Sequence, residues 1–413
     1  MKFHWFHLMP YPELPEDFRT RYRSVWVDPP VKELFDPAVG QRAYNDYLDE
    51  LEYADQVGFD GICVNEHHSN AYGLMPSPNL MAAALARRTS KAKLVVLGNS
   101  VALYNPPTRV AEEMAMLDVI CGGRLVAGFP VGTPMDTAFA MGQNPVTLRE
   151  KYFEGVDLIL KAWRAEKPFA FNGKHTQLRY VNPWPRPMQQ PHPPVWIPGG
   201  GSIETWDWCA ENDHLYAYLS YFGFRQAKES MDGYWQAVDR AGKDRNPYRA
   251  GFLQFVGVAE DEDHAEELYS EAALYFYQRC MHVDPGFAAP PGYSTASTVR
   301  RGATSQVRQA AEKGGGMFPE LDWKTIVDNG YLVVGSPKRV AEQLHEFADQ
   351  MNVGHLMLLM HFGNLGKQAT MYNTRRFAEE VAPLVRDRFL EWEDRWWPKG
   401  APVAAAPELQ PAQ

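Results

Sequence analysis

The chain has 413 residues, 45% hydrophobic and 22% charged, which suits one large α/β barrel or two medium domains and excludes disorder as the main description. A net charge of −10, with no run rich in Lys or Arg, leaves no electrostatic footprint for nucleic acid. No apolar stretch approaches the ~20 residues of a membrane-spanning helix, and the first residues lead into a strand rather than a signal peptide, so a cytoplasmic protein is expected.

Four cysteines (Cys63, Cys121, Cys209, Cys280) lack paired spacing and read as reduced, buried thiols. Aromatics at 13%, with 12 Trp, exceed what a core usually demands and point to a lined pocket or a subunit interface.

Residues 2–9 read as a first strand, and the Pro-rich stretch 10–40 that follows is too long for a simple connection and is expected to cover something. Tyr44, Tyr47, Leu48, Leu51, Ala54 and Val57 recur at helical spacing over 41–57, ahead of a short buried strand at 62–64. A helix at 78–89, capped by Ser77, precedes a strand at 94–97; a helix at 108–120, stopped by Gly122-Gly123, precedes a strand at 124–127. Beyond a helix at 148–165, residues 169–181 form a polar excursion and 183–194 a Pro-rich segment.

Strands follow at 195–197, 215–219, 252–258 and 355–360, with helices to 211 and at 226–241, 262–283, 337–351 and 374–392. The stretch 284–316 is rich in Pro, Gly and Ser and reads as an insertion, and the Ala/Pro-rich end beyond 398 as a disordered tail. Eight strands alternating with helices, and no outer edge strand, predict a (β/α)8 TIM-type barrel with insertion segments. The expected organisation is one barrel domain over 1–397, interrupted at about 284–325, with a tail at 398–413. No Gly-x-Gly-x-x-Gly opens a helix after the first strand, which counts against a Rossmann domain.

Glu66, His67 and His68 stand where the strand at 62–64 ends, at the barrel's carboxyl rim where ligands bind. Neighbouring strand residues point to opposite faces, so one of the two histidines is expected to be the functional one, and spacing does not say which. A histidine can donate or accept a proton near neutral pH; equally, Glu66 and one histidine can simply hold the loop by hydrogen bonds. No His-x-x-x-His or Cys-x-x-Cys pairing suggests a metal. Gly199-Gly200-Gly201-Ser202, between a strand and a helix, is built as an anion seat, with hydroxyls from Ser202 and Thr205. Its plainer reading is a tight turn with Ser202 as helix cap. Arg149 and Tyr152, one turn apart, are candidates to reach the same anion, and Gly98-Asn99-Ser100 to place small groups against a flat ring. Ser336 reads as an ordinary helix cap before Pro337.

Several stretches together resemble the bacterial luciferase-like family of flavin-dependent monooxygenases: Gly58-Phe59-Asp60-Gly61 with Asn65-Glu66-His67-His68, Gly122-Gly123-Arg124-Leu125 with Gly128, the Pro187 to Pro194 segment, the Gly199 to Thr205 turn, and Gly335-Ser336-Pro337 with Val340-Ala341-Glu342. The resemblance implies a barrel, often a homodimer, that takes reduced FMN (FMNH2) from a separate NAD(P)H-dependent flavin reductase and oxygenates a small organic substrate with O2 through a flavin hydroperoxide. By position it implies an active-site role for His67, and Glu66 and His68 beside it remain catalytic candidates from the strand-end reading. The resemblance places Ser202, Thr205 and Tyr152 at the flavin phosphate and Ser100 behind the ring; with the residue reading, the cofactor-binding candidates are Asn99, Ser100, Arg149, Tyr152, Gly200, Gly201, Ser202 and Thr205, with no metal expected. A deazaflavin-dependent hydride-transfer oxidoreductase is the alternative on the same fold. Pro130-Val131 and Gly201 depart from the luciferase pattern, as does the loop 10–40, whose Trp26 is expected to shape the substrate pocket.

Overall fold

The computed structural model describes residues 1–302 and 321–399. Its strands are β1 (Lys2–Phe6), β2 (Gly61–Val64), β3 (Lys93–Leu97), β4 (Leu125–Gly128), β5 (Phe169–Asn172), β6 (Gln177–Val181), β7 (Val195–Gly199), β8 (Leu215–Tyr218), β9 (Ala250–Val258), β10 (Leu332–Gly335) and β11 (His355–Leu359). Eight of them run parallel in the order β1-β2-β3-β4-β7-β8-β9-β11. The ring closes through Lys2↔His355 to Phe6↔Leu359 between β1 and β11, and Tyr216↔Ala250 to Tyr218↔Phe252 between β8 and β9. This is the expected (β/α)8 barrel.

Alternation along each strand separates two cores. Phe6, Cys63, Val95, Val126, Leu253 and Met357 fill the inside of the ring, whereas Trp5, Ile62, Leu94, Leu125, Phe252 and Leu356 face the helices. Glycine is required where neighbouring strand ends crowd: a Cβ at Gly98 would stand 2.6 Å from the Glu66 backbone nitrogen. All four cysteines are buried and unpaired.

The structure departs from the sequence reading in several elements. The helix expected at 41–57 begins earlier, as Pro37–Gln56, because Asp36 caps Ala38 N–H and Pro37 sits in the first turn. The stretch 10–40 contains two one-turn helices, Phe18–Arg21 and Val31–Leu34. The polar excursion is an antiparallel hairpin of β5 and β6. The helix expected at 262–283 is regular only over Glu262–Tyr275 and then widens into a π turn at Phe276–Cys280, which lets the successive aromatics Tyr275, Phe276 and Tyr277 all be buried. The closing helix, expected at 374–392, is Lys367–Arg376, followed by a π turn and the short Ala382–Val385, since Pro383 interrupts the hydrogen-bond ladder. β10, absent from the reading, lies along the far half of β9 outside the ring, from Leu332↔Phe255 to Gly335↔Val258. Of the expected insertion and tail, 303–320 and 400–413 lie outside the described residues.

Candidate functional site at the carboxyl rim

At the carboxyl ends of the strands a cavity of about 330 Å³ opens between the β1, β2, β4 and β7 loops, the residues after β8, and the segment beyond the π turn. Its two ends differ in chemistry. Arg149, Gly200, Ser202 and Thr205 make one end polar, while Phe6, Trp26, Tyr72, Leu97, Met281 and Val283 make the other apolar.

His67 lines the wall, and its Nδ1 lies 2.8 Å from Asp136 Oδ2. A carboxylate only accepts, so Nδ1–H donates, leaving Nε2 as the ring's available nitrogen. Asp136 accepts three further bonds: from the His68 backbone N–H at 2.8 Å, Trp26 Nε1–H at 3.0 Å and the Thr133 hydroxyl at 3.0 Å. Burial works to raise its pKa, but the charge and hydrogen bond of His67, with the other donors, hold this carboxyl below the usual range. Sequence reasoning missed Asp136. The one available signal was a lone carboxylate just after Gly132-Thr133-Pro134, in the loop beyond a barrel strand, where rim residues carry chemistry.

Glu66 also reaches the cavity but is tied to three donors: Ser100 N–H at 2.6 Å, the Tyr104 hydroxyl at 2.8 Å and His68 Nε2 at 3.1 Å. These bonds bind the β2 loop to the β3 loop. Burial pulls the His68 pKa down, and the bond and charge of Glu66 more than offset it, so the net direction is up. His68 and Asn99 are not among the cavity-lining residues, whereas Ser100 is. Asn99 donates to the Tyr104 hydroxyl at 3.0 Å, and its Oδ1 is buried without a partner.

At the polar end, Arg149 Nη1 donates to Thr205 Oγ1 at 3.0 Å, and Arg149 Nε is buried with no acceptor. A guanidinium with an orphaned donor on a cavity wall is a strong seat for an anion. Gly201, at φ +106, turns the chain into the helix Ile203–Glu211. Ser202 does not cap that helix; its hydroxyl donates to Glu204 at 2.9 Å. Glu204 also accepts from the hydroxyls of Thr295 at 2.5 Å, Ser297 at 2.7 Å and Thr298 at 3.0 Å. Burial raises the pKa of this carboxyl, yet the hydroxyl donors bring it down to about 2. Tyr152 and Gly201 do not line the cavity; the Tyr152 hydroxyl donates to the Phe129 carbonyl at 2.7 Å and positions the β4 loop.

Among the described residues one trio that does not line the cavity, His7, Glu50 and His361, brings ligand-type atoms within 4.8 Å of one another. His7 Nδ1 accepts the Met9 N–H at 2.9 Å, so Nε2 carries the ring proton and cannot bind a cation. The donor set therefore does not fit a metal.

A closed parallel barrel with an anion seat and a paired histidine at its carboxyl rim is the layout of a cofactor-binding α/β-barrel enzyme. Residues 30–352 match the model of the family described as luciferase-like monooxygenase, and the chain belongs to that family. It is 28% identical over 347 residues to limonene 1,2-monooxygenase of Rhodococcus erythropolis, covering 81% of this chain and 80% of that one. It is 23% identical over 269 residues to the oxygenase component of the flavin-dependent trigonelline monooxygenase of Acinetobacter baylyi, covering 63% and 73%. The fold is shared with the oxygenating constituent of 3,6-diketocamphane monooxygenase of Pseudomonas putida, a type II Baeyer-Villiger monooxygenase solved with FMN (TM-score 0.68, 20% identity, 93% and 98% covered). It is likewise shared with an F420-dependent secondary alcohol dehydrogenase (TM-score 0.61, 16% identity, 94% and 99% covered). The named relatives support an oxygenating enzyme that works with a flavin-type cofactor. No described helix is long and apolar enough to cross a membrane.

Proposed function

We propose that the chain is the oxygenase of a two-component system, taking reduced FMN from a separate NAD(P)H-dependent reductase and oxygenating a small, largely apolar organic molecule. The observation that carries this is one cavity with Arg149 and Thr205 at its polar end and the His67–Asp136 pair on its wall. The residues fit a phosphorylated flavin: the orphaned Arg149 Nε, the Thr205 hydroxyl and the Gly200 backbone supply donors for its phosphate. When bound, the reduced ring supplies the electrons that activate oxygen.

The chain's own residues do the rest. Asp136 fixes the ring proton on His67 Nδ1, so Nε2 can hold or release a proton on the cavity side. Glu66 clamps the β2 and β3 loops so that the wall keeps its shape. Trp26 and Tyr72 keep water from the apolar end, and Tyr293, anchored by its hydroxyl on the Gly132 carbonyl at 2.6 Å, lines the same cavity. A deazaflavin finds less support, because its acidic tail favours a basic groove, and among the described residues lining the cavity Arg149 is the single Lys or Arg.

The test is anaerobic titration with FMNH2, FMN and a deazaflavin, then oxygen uptake with a panel of small organic compounds. Tight FMNH2 binding and substrate-dependent oxygen uptake are expected. Preference for the deazaflavin, without oxygen uptake, would replace this reading with hydride transfer.

A further inference from the structure

Among the described residues lining the cavity, Glu66 and His67 are the two basic side chains with a proton to gain. Glu66 is occupied by three donors, whereas no described residue donates to His67 Nε2. Because Asp136 holds the ring proton on Nδ1, Nε2 meets the cavity as a base. The same end carries a donor. The buried Tyr72 hydroxyl donates to the Tyr221 hydroxyl oxygen, and the hydrogen of Tyr221 has no acceptor among the described residues. The rings of His67 and Tyr221 both pack edge to face on Tyr72, their centroids 4.9 and 6.1 Å from its own, so base and donor adjoin one aromatic wall. Phe6, Trp26 and Phe222 line the same cavity, rings against which a flat aromatic body packs.

A base and a donor together suit a hydroxyl group, which has both a proton to give and an oxygen that accepts. A ketone would leave Nε2 without a partner, and a carboxylate would find no cation, since Arg149 stands at the other end. Acid strength narrows the choice further. A phenol, with an ordinary pKa of ~10, can pass its proton to an imidazole backed by a carboxylate, and an aliphatic alcohol is far too weak an acid to do so. The imidazolium so formed lies 2.8 Å from the Asp136 oxygen, which offsets the cost of separating charge in a buried place.

We infer that the substrate class is the phenols, bound with the hydroxyl on His67 Nε2 and the flat ring among the aromatic side chains. The O–H bond breaks, its electron pair stays on the phenolic oxygen, and the proton forms an N–H bond at Nε2. Tyr221 donates to that oxygen as it gains charge. The inference rests on the monooxygenase reading for its outcome, because an ionised phenol has electron-rich ring carbons that take up an oxygen atom. A ring C–H then becomes C–OH, the second atom of O2 leaves as water, and the reduced flavin gives the two electrons. Capture of the phenol itself needs no flavin.

The test titrates the flavin-free full chain, below neutral pH, with 4-cyanophenol and 4-fluorobenzonitrile, probes of nearly equal shape of which only the first has a proton to give. Wild type is expected to bind the phenol about tenfold more tightly, the worth of one buried hydrogen bond. Independently of any variant, the ultraviolet band of the bound phenol moves to longer wavelength, the mark of the phenolate. His67→Gln removes both the band shift and the preference, while Tyr221→Phe weakens the phenol and leaves 4-fluorobenzonitrile unchanged. Equal affinity for the probes, failure to bind either, an unmoved band in wild type, a band shift that survives in His67→Gln, or full phenol affinity in Tyr221→Phe overturns the inference. FMN binding and oxygen uptake are read on the same preparation. Phenolate capture without them sinks the monooxygenase reading and keeps the ligand class, whereas FMN binding without the band shift does the reverse.

Discussion

Around Asp136 the imidazole of His67 keeps one nitrogen on a cavity, whereas around Glu50 the imidazoles of His7 and His361 are sealed. The chemistry of the two clusters is nearly the same. His361 Nδ1 lies 2.9 Å from Glu50 and His7 Nε2 3.2 Å, and all three side chains are at most 3% exposed. Burial works to raise Glu50, but the two imidazoles hold its carboxyl below the usual range. Access, rather than residue type, separates a pair that can exchange protons with a ligand from one that holds β1, β11 and the helix Pro37–Gln56 together.

The widest separation between the clusters is expected in turnover. His67→Ala should lower product formed per oxygen consumed by about 100-fold or more, while FMN affinity stays unchanged. Coupled turnover equal to wild type would remove His67 from the reaction. Glu50→Ala, measured by urea denaturation, should destabilise the fold by about 3 kcal/mol, because it strands buried imidazoles. A loss confined to flavin binding would instead move the Glu50 cluster into the site. At the polar end, Arg149→Met should weaken FMN binding about tenfold and riboflavin binding hardly at all, since only FMN carries the phosphate. Equal effects on both would place the phosphate elsewhere.

The smallest effects are in pH, and their signs are opposite. His68 has a raised pKa, so its stabilisation is complete below the ordinary value of about 6.5 and is lost as pH climbs through the folded-state pKa. The stability difference between wild type and His68→Gln should therefore shrink from pH 6 to pH 8, by under about 1 kcal/mol after screening. Burial, only partly offset by Glu50, lowers His7 to about 4; its contribution is present above about 6.5 and is lost as pH falls through that value. An NMR titration in which the His7 ring protonates near neutrality would break the comparison.

The ring of strands was legible because each short apolar run follows an amphipathic helix and ends in glycine or a polar residue, as at Ile62-Cys63-Val64. β10 escaped because Leu332-Val333-Val334-Gly335 is too short for periodicity to identify. At the site, Glu66, His67, Ser100, Arg149, Gly200, Ser202 and Thr205 could be picked from their places at strand ends and helix starts, and all of them line one cavity. Asp136, Tyr104 and Tyr221 could not. Their meaning lies in partners more than 30 residues away in sequence, as with the 69-residue separation of His67 and Asp136, and no local pattern announces such a pairing.

Asp136 collects donors from the segment after β1 (Trp26), the one after β2 (His67 and His68) and its own loop after β4 (Thr133). Evolution, or an engineer, therefore cannot exchange one of these loops between relatives in isolation. A graft bringing a new residue 26 or a new residue 133 alters the tautomer control of His67 without touching it, so the loops are inherited as a matched set.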